Sequence, residues 1–391
     1  MVDVSKLVKK SLRTLTPYFH GGNVWEFSET YGVPVDEMID FSISTNPLGA
    51  PETALESIRG HLNIIKHYPD PDPEWLLEAL AKSAGVKHNN VILGNGSTEL
   101  IYLFNEVFLE DGYEAVIPVP SFSEYKAAIE RFGGNMTFLR CDSSKNFQLN
   151  VEELENTISK KTRVIFLCNP NSPTGVLYDK ADILRVIRFA AERNVLVFLD
   201  EDYIDFVDDV KRYSMAEYVN EYNNLFVLRS LTKFFGLAGL RIGYGIGAPE
   251  LVNALNNVKM PWSINSLAMF ATEAAINDVD FIKKSRLLVS QSRKEMRELF
   301  KSIPWLKVHP SETNFLLVEI IRGDLTSTQI KEALAKKGLL IRDCKDFDGL
   351  DNRFFRVTVR RPEENKKLVE QIKLLGKKLP VSQHLSVVRD R

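Results

Sequence analysis

The stretch LFVLRSLTKFFGLAGLRIGYGIG, residues Leu225 to Gly247, runs from an apolar segment into a hydroxyl-bearing turn around one lysine. Leu225 to Leu228 is apolar and bounded by turn residues, which predicts a buried sheet strand. Ser230 and Thr232 precede Lys233 by three and one residues, and Arg241 follows it by eight. Such a set suits a phosphate, because hydroxyls donate to an anion and a planar guanidinium meets an oxyanion through two parallel hydrogen bonds. A lysine beside a bound phosphate points to pyridoxal phosphate, whose aldehyde condenses with an amine while its phosphate anchors the far end. Spacing alone leaves open the plainer alternative of a surface lysine beside a glycine-rich turn.

At 391 residues the chain exceeds the about 250–300 at which a single core stops growing, so two domains are expected. With 44% of residues hydrophobic and 26% charged, it has the composition of an ordinary soluble protein. Fifty basic residues stand against 52 acidic ones, a net charge of -2, which gives no electrostatic footprint for nucleic acid or a membrane. The expected partners are a small molecule and a second copy of the chain. Cys141, Cys168 and Cys344 are scattered without metal-ligand spacing, as expected of a protein in a reducing cytoplasm. The six histidines are likewise dispersed, so no protein-built metal site is expected. The N-terminal MVDVSKLVKKSLRTL is basic and amphipathic without an apolar centre, and is expected to be a docking helix rather than a signal.

Outward from the lysine segment, strands and helices alternate. Val91 to Leu93, Ala115 to Val119, Val164 to Leu167 and Val195 to Leu199 read as strands, with helices such as Ser123 to Phe132 and Asp179 to Arg193 between them. That alternation predicts an α/β fold with a mainly parallel sheet covered by helices on both faces. Ligands of such sheets sit at the carboxyl ends of the strands, where Gly94, Phe122, Asn169 to Ser172, Asp200 and Ser230 all fall. The turn Gly94-Asn95-Gly96 opens a helix with Ser97 and Thr98, and the free N–H groups there offer a second phosphate contact. This turn lacks the lysine of a Walker loop and the third glycine of a dinucleotide fingerprint. Asp200 closes an apolar strand, where an unpaired carboxylate is costly, so it is expected to face a cation such as a protonated pyridine nitrogen. Capping a following helix is its plainer alternative.

Toward the N-terminus, His20, Gly21, Gly22 and Asn23 allow backbone to approach a ligand closely, or simply form a turn. Tyr68 sits in the proline-punctuated loop HYPDPDPEW, as a packing residue or a ligand. Toward the C-terminus, a charged helix from about Asn277 to Pro304 leads to predicted strands at Asn314 to Ile320 and Arg353 to Arg360. With helices at Thr328 to Lys337 and Glu363 to Leu375, these predict a smaller α/β domain completed by the N-terminal arm. The tail after Leu379 is expected to be loosely held.

SLTKFFGLAGLRIGYG resembles the Schiff-base segment of the fold-type I pyridoxal-phosphate enzymes, the aspartate aminotransferase superfamily. FLDEDYIDF (Phe198 to Phe206) resembles that family's strand-end aspartate with a tyrosine three residues on, and CNPNSPTG (Cys168 to Gly175) its Asn/Pro turn. HGGN at 20 to 23, FSISTNPLG at 41 to 49, YPDPD at 68 to 72, MPWSINSLA at 260 to 268 and IRDCKDFDGLDNRFFRVTVR at 341 to 360 narrow the match. Together they resemble the threonine-phosphate decarboxylases of cobalamin biosynthesis, a family close to the histidinol-phosphate aminotransferases.

The resemblance implies a fold-type I transferase with a large pyridoxal 5'-phosphate-binding domain at 46–285. A small α/β domain made from 1–45 and 286–391, and a homodimer with shared active sites, are implied with it. Lys233 matches the Schiff-base lysine, and Ser97, Thr98, Ser230, Thr232 and Arg241 match contacts to the cofactor phosphate. Asp200 matches the pyridinium partner, Phe122 the aromatic stacked on the ring, and Tyr203 a neighbour of the 3-hydroxyl. Ser172 stands where the family carries the asparagine that bonds this hydroxyl, with Asn169 and Asn171 as alternatives. Tyr68 matches a tyrosine that reaches the neighbouring subunit's cofactor phosphate. Arg356 matches the arginine for the substrate carboxylate and Arg342 one for a substrate phosphate, with His20 and Gly21 close by; Ser44 and Asn46 fall near the substrate.

The implied reaction is decarboxylation of L-threonine O-3-phosphate to (R)-1-amino-2-propanol O-2-phosphate. Transamination of histidinol phosphate or another amino acid would use the same residues, because the bond that breaks at Cα is the one held perpendicular to the cofactor ring. A non-catalytic binding relative is the third alternative, against which the intact Lys233, Asp200 and Arg241 argue.

Overall fold

The apolar run at Leu225 becomes a strand, Leu225–Ser230, with every residue buried. The computed structural model describes residues 2–9, 12, 13, 15 and 21–378. Its strands in chain order are β1 (Ile39–Asp40), β2 (Val91–Gly94), β3 (Glu114–Val119), β4 (Asn135–Arg140), β5 (Thr162–Cys168), β6 (Leu196–Asp200) and β7 (Leu225–Ser230). They continue with β8 (Gly243–Gly247), β9 (Leu306–Val308), β10 (Phe315–Ile320), β11 (Leu339–Leu340), β12 (Arg342–Asp343) and β13 (Phe354–Thr358).

Seven of these strands form one sheet in the order β2-β8-β7-β6-β5-β3-β4. β3 to β7 pair in parallel and β8 alone runs against its neighbours, so the expected mainly parallel α/β architecture is present. Successive side chains of a strand point to opposite faces, and the two cores divide accordingly. Ile165, Leu167, Val197, Leu199, Leu225 and Val227 join one buried cluster, while Phe166, Phe198, Phe226 and Leu228 join the other. In the second cluster Phe104, from the helix Gly96–Phe108, meets Phe198 edge-on at 4.9 Å, and Phe166 and Phe226 flank Phe198 at 5.0 and 5.4 Å. Each fully buried phenylalanine contributes about 1.5–3 kcal/mol relative to exposure, so this cluster does much to stiffen the sheet.

A four-stranded antiparallel sheet, β12-β13-β10-β9, has its own core of Leu316, Val318, Ile320, Phe355 and Val357. Phe41 from the leading arm is fully buried in that core, and β1 pairs in parallel with β11. Within the N-terminal segment expected to dock as a helix, Val4–Leu7 forms a helical turn with no residue buried. A single turn without a packing face lies below the length at which helices hold themselves together. His20 and the tail after Leu379 lie outside the described residues. No helix among the described residues is long and apolar enough to cross a membrane.

The turn after β7 is fixed from two sides. Leu237 N–H donates to Leu231 O at 3.3 Å, and Asn46 N–H, from the leading arm, donates to Lys233 O at 3.0 Å. Gly236 makes the bend at φ 63°, where a Cβ would stand 2.5 Å from Gly49 O. Gly236→Ala is therefore expected to cost about 1–3 kcal/mol in chemical denaturation. Gly239, on the same loop, has open space at its Cβ position, so Gly239→Ala is expected to stay within about 0.5 kcal/mol. Equal effects of the two substitutions would contradict this account of the turn.

Candidate active site

Lys233 is half-buried and opens onto a cavity of about 430 Å³ between the large sheet, the leading arm and the four-stranded sheet. Thr98, Phe122, Ser172, Tyr203, Arg241, Arg342 and Arg356 share its walls, together with Gly21 and Ser44 from the arm. Sequence positions from about 20 to about 360 thus converge on one space.

One end of the site is suited to an anion. Gly96 begins its helix at φ 73° and packs so closely on Arg241 that a Cβ there would strike the guanidinium. Arg241 itself lies in the left-handed region at φ 55°, a conformation costing a non-glycine residue about 1–3 kcal/mol. Helix N–H groups, a guanidinium and the Ser230–Thr232 hydroxyl pair, 2.7 Å apart and buried, meet the needs of a phosphate.

Asp200, at the carboxyl end of β6, is only 3% exposed. Tyr125 OH donates to its Oδ2, and Asp202 N–H donates to its Oδ1 at 2.8 Å. Among the described residues it forms no ion pair. Burial pushes its carboxyl well above the usual carboxylate range, and the nearby Asp202 pushes it the same way. An aromatic ring nitrogen that carries a proton would meet this carboxylate, so a phosphate cradle and a buried acid together fit pyridoxal phosphate. A further vacant donor is Asn169 Nδ2, buried and without a partner while Oδ1 accepts from Tyr178 N–H at 2.8 Å.

The wall opposite carries two arginines. Arg342 on β12 and Arg356 on β13 are directly paired across the antiparallel ladder, an arrangement that costs stability for like charges unless an anion joins them. Arg356, 9% exposed, donates from Nη1 to Ser172 Oγ at 3.1 Å and from Nη2 to Ser42 O at 3.3 Å; its Nε has no partner. The Arg342 guanidinium lies 5.2 Å from the Phe347 ring centre. The Asp343 carboxylate accepts from Ser327 Oγ and Thr328 Oγ1.

Three expected site residues have other tasks. Asn46 donates through Nδ2 to Phe234 O at 2.6 Å and Ser285 Oγ at 2.8 Å and accepts at Oδ1 from Leu48 N–H, so its amide is spent on holding the lysine turn. Asn171 likewise spends its side chain on Pro120 O and on Thr174, bracing its own turn. Ser97 Oγ donates to Asp202 Oδ2 at 3.0 Å, while Thr98 faces the cavity. Tyr68 lies outside the cavity, 79% exposed, with its ring 4.8 Å from that of Trp262.

Sequence reading did not single out Tyr125, Asp202 or Glu124. Tyr125 follows Phe122 by one helical turn, a spacing that could have flagged it. Asp202 sits between two expected site residues, Asp200 and Tyr203. Glu124 lines the cavity and accepts from Tyr102 OH at 2.8 Å, which nothing local in the sequence announces.

Comparison with known proteins adds to this geometry. The aminotransferase class I and II profile matches residues 36–372. A histidinol-phosphate aminotransferase of Methanococcus aeolicus is 33% identical over 95% of this chain and 99% of its own. A Caldanaerobacter subterraneus protein provisionally named threonine-phosphate decarboxylase is 37% identical over 92% of this chain and 94% of its own. The crystal structure of L-threonine-O-3-phosphate decarboxylase from Porphyromonas gingivalis superposes with a TM-score of 0.78 at 25% identity, covering 87% of this chain and all of that one.

Because Asp200 is held protonated in the fold at a pH where the unfolded chain has released that proton, stability falls as pH rises from the ordinary value of 3.8 through the folded-state value. Asp200→Asn is therefore expected to raise the denaturation midpoint of the cofactor-free protein at about pH 8 and to flatten its pH dependence above about pH 5. A variant less stable than the wild type at the higher pH would contradict this.

Proposed function

The chain belongs to the aminotransferase class I and II family, whose members depend on pyridoxal 5'-phosphate, and on that premise we propose that it decarboxylates L-threonine O-3-phosphate to (R)-1-amino-2-propanol O-2-phosphate. The observation that carries this reading is the pair Arg342 and Arg356, cross-strand neighbours facing the cavity that also holds Lys233. A substrate with a carboxylate and a phosphate has two anionic ends to be met after desolvation, and a guanidinium meets either with a bidentate pair.

When bound, pyridoxal phosphate supplies an electron sink for the bond that breaks at Cα. Lys233 would hold the cofactor covalently at rest, with Thr98, Ser230, Thr232 and Arg241 around its phosphate and Ser97 offering the N–H of the helix N-terminus. Asp200, oriented by Tyr125, would keep the ring nitrogen protonated, and Phe122 on the cavity wall would supply an aromatic face for the ring. Tyr203, with Ser172 or Asn169, bonds the 3-hydroxyl. Arg356 takes the substrate carboxylate and Arg342 the phosphate, with Gly21 on the cavity wall beside them. On the same reading residues 46–285 hold the cofactor, and 1–45 with 286–391 form the second unit. The exposed Tyr68, its ring 4.8 Å from that of Trp262, reaches the phosphate site of a second copy in a homodimer working in cobalamin biosynthesis.

A second reading, transamination of histidinol phosphate, is favoured by the name of the Methanococcus aeolicus relative and by Glu124. A buried carboxylate on the cavity wall would accept from an imidazole N–H. The two readings separate when purified protein is given threonine phosphate with and without 2-oxoglutarate. Carbon dioxide release that needs no 2-oxo acid is expected; consumption of histidinol phosphate only with 2-oxoglutarate, and no carbon dioxide from threonine phosphate, would refute decarboxylation.

The division of labour between the arginines gives a further expectation. Arg342→Ala should cost on the order of 2–5 kcal/mol in kcat/KM with threonine phosphate, as for a buried charge losing its partner, and little with threonine. Arg356→Ala should impair both substrates alike. Equal losses on both substrates for Arg342→Ala would contradict its phosphate role.

A further inference from the structure

The loop joining β12 to β13 leaves the four-stranded sheet and packs against the large one. Its Cys344 and Phe347 are buried in the cluster on one face of the large sheet, Phe347 being 6% exposed. Lys126, on the helix Ser123–Phe132, reaches Asp348 Oδ2 and Oδ1 at 3.1 and 3.3 Å. Gly349 sits so close to the large sheet that a Cβ there would stand 3.1 Å from Pro120 N. Within the loop, Phe347 N–H donates to Cys344 O at 3.1 Å and Leu350 N–H to Phe347 O at 3.0 Å, so a hydrogen-bonded turn presents the Phe347 ring. That ring and Arg342 share the cavity wall, and the guanidinium lies over the ring, 5.2 Å from its centre. An aromatic face within about 6 Å attracts a guanidinium, whose own flatness favours stacking on it. Arg342 thus stands on one sheet while the ring beneath it is anchored in the other.

We propose that Phe347 is a positioning residue for Arg342, and that the loop carrying it is a strap through which contact with the large sheet aims that guanidinium at the substrate phosphate. This rests on Arg342 being the phosphate arginine of the proposed reaction. Arginine is rich in rotamers, and a bidentate pair with a phosphate fixes nearly all of them. A ring beneath the guanidinium restricts it before the ligand arrives, so less freedom is lost on binding. Arg356 is held by other groups, Ser172 Oγ and Ser42 O, with its guanidinium 4.8 Å from the Phe315 ring centre. Loss of the Phe347 ring therefore weakens recognition of the phosphate and leaves the other end of the ligand untouched. The ion pair of Lys126 with Asp348 fastens the strap from outside, and because both side chains are partly exposed its share is smaller.

Equilibrium binding to the holoenzyme tests this without turnover, with the visible absorbance reporting a ligand amine that replaces Lys233 at the cofactor. The probes are 1-amino-2-propanol O-2-phosphate and 1-amino-2-propanol, which differ only in the phosphate. Phe347→Leu keeps an apolar side chain and removes the ring face. It is expected to weaken the phosphorylated probe about fivefold, as for one cation–ring contact, and to leave the other probe unchanged. In an Arg342→Ala background Phe347→Leu is expected to alter neither affinity, because a residue acting through Arg342 then has nothing to act on. A loss of the same size in that background, or an equal loss on both probes, overturns the proposal. Should Phe347→Leu fail to fold, Lys126→Met releases the strap from the surface; a loss of about twofold confined to the phosphorylated probe supports the proposal, and no loss overturns it. Arg342→Ala by itself separates the premise from the inference. If it binds both probes as the wild type does, the phosphate role of Arg342 fails and the proposal with it; if it loses the phosphorylated probe while Phe347→Leu does not, the premise stands and the role of Phe347 is overturned.

Discussion

Asp200 is a carboxylate that folding alone leaves poorly served. Tyr125 OH and one N–H are what the protein offers it, in a place where burial and a second carboxylate both oppose its charge. On the other wall Arg342 and Arg356 stand directly opposed across two strands, a like-charge contact that also opposes folding. No ion pair among the described residues joins these acids to these bases. Unlike charges kept apart on separate sheets make a site that is costly when empty and complementary to a molecule with a cationic ring nitrogen and anionic ends. The hydrophobic faces of the two sheets, with their interlocked phenylalanines, supply the stability that offsets this cost.

The positions of these groups follow from strand ends and from a few fixed turns. β5, β6 and β7 deliver Asn169, Asp200 and the Lys233 turn to one edge of the large sheet because parallel strands end on the same side. Asn46 ties that turn to the arm, and the arm is tied to the second sheet by Phe41 and by β1. Arg356 reaches Ser172 across the cavity, so the second sheet is held against the first by a residue that also belongs to the site. Movement of one sheet against the other would therefore change the spacing between Lys233 and the arginines.

Much of this was legible in the sequence, for identifiable reasons. Apolar runs bounded by turn residues gave away the strands, and the spacing of Ser230, Thr232, Lys233 and Arg241 marked a candidate anion site, because both signals are local. A substrate role was implied for both Arg342 and Arg356, but their direct register depends on the loop joining β12 to β13. What stayed hidden was long-range. Asn46 and Asn171 look like site asparagines until their amides are found bonded to Phe234 O and Pro120 O, contacts set by the fold and not by neighbours in sequence. Tyr125, Glu124 and Asp202 were passed over because an acid or a tyrosine near a helix start is ordinary there, and only burial and an orphaned oxygen mark Asp202 out.

Every role assigned to the site depends on Lys233 being the residue that carries the cofactor. Reducing the purified holoenzyme with borohydride fixes the linkage, and peptide mapping by mass spectrometry then identifies the modified side chain. The account predicts a visible absorbance band that disappears on reduction and a pyridoxyl group on Lys233 alone. Pyridoxyl found on a different lysine, with Lys233 unmodified, would contradict it.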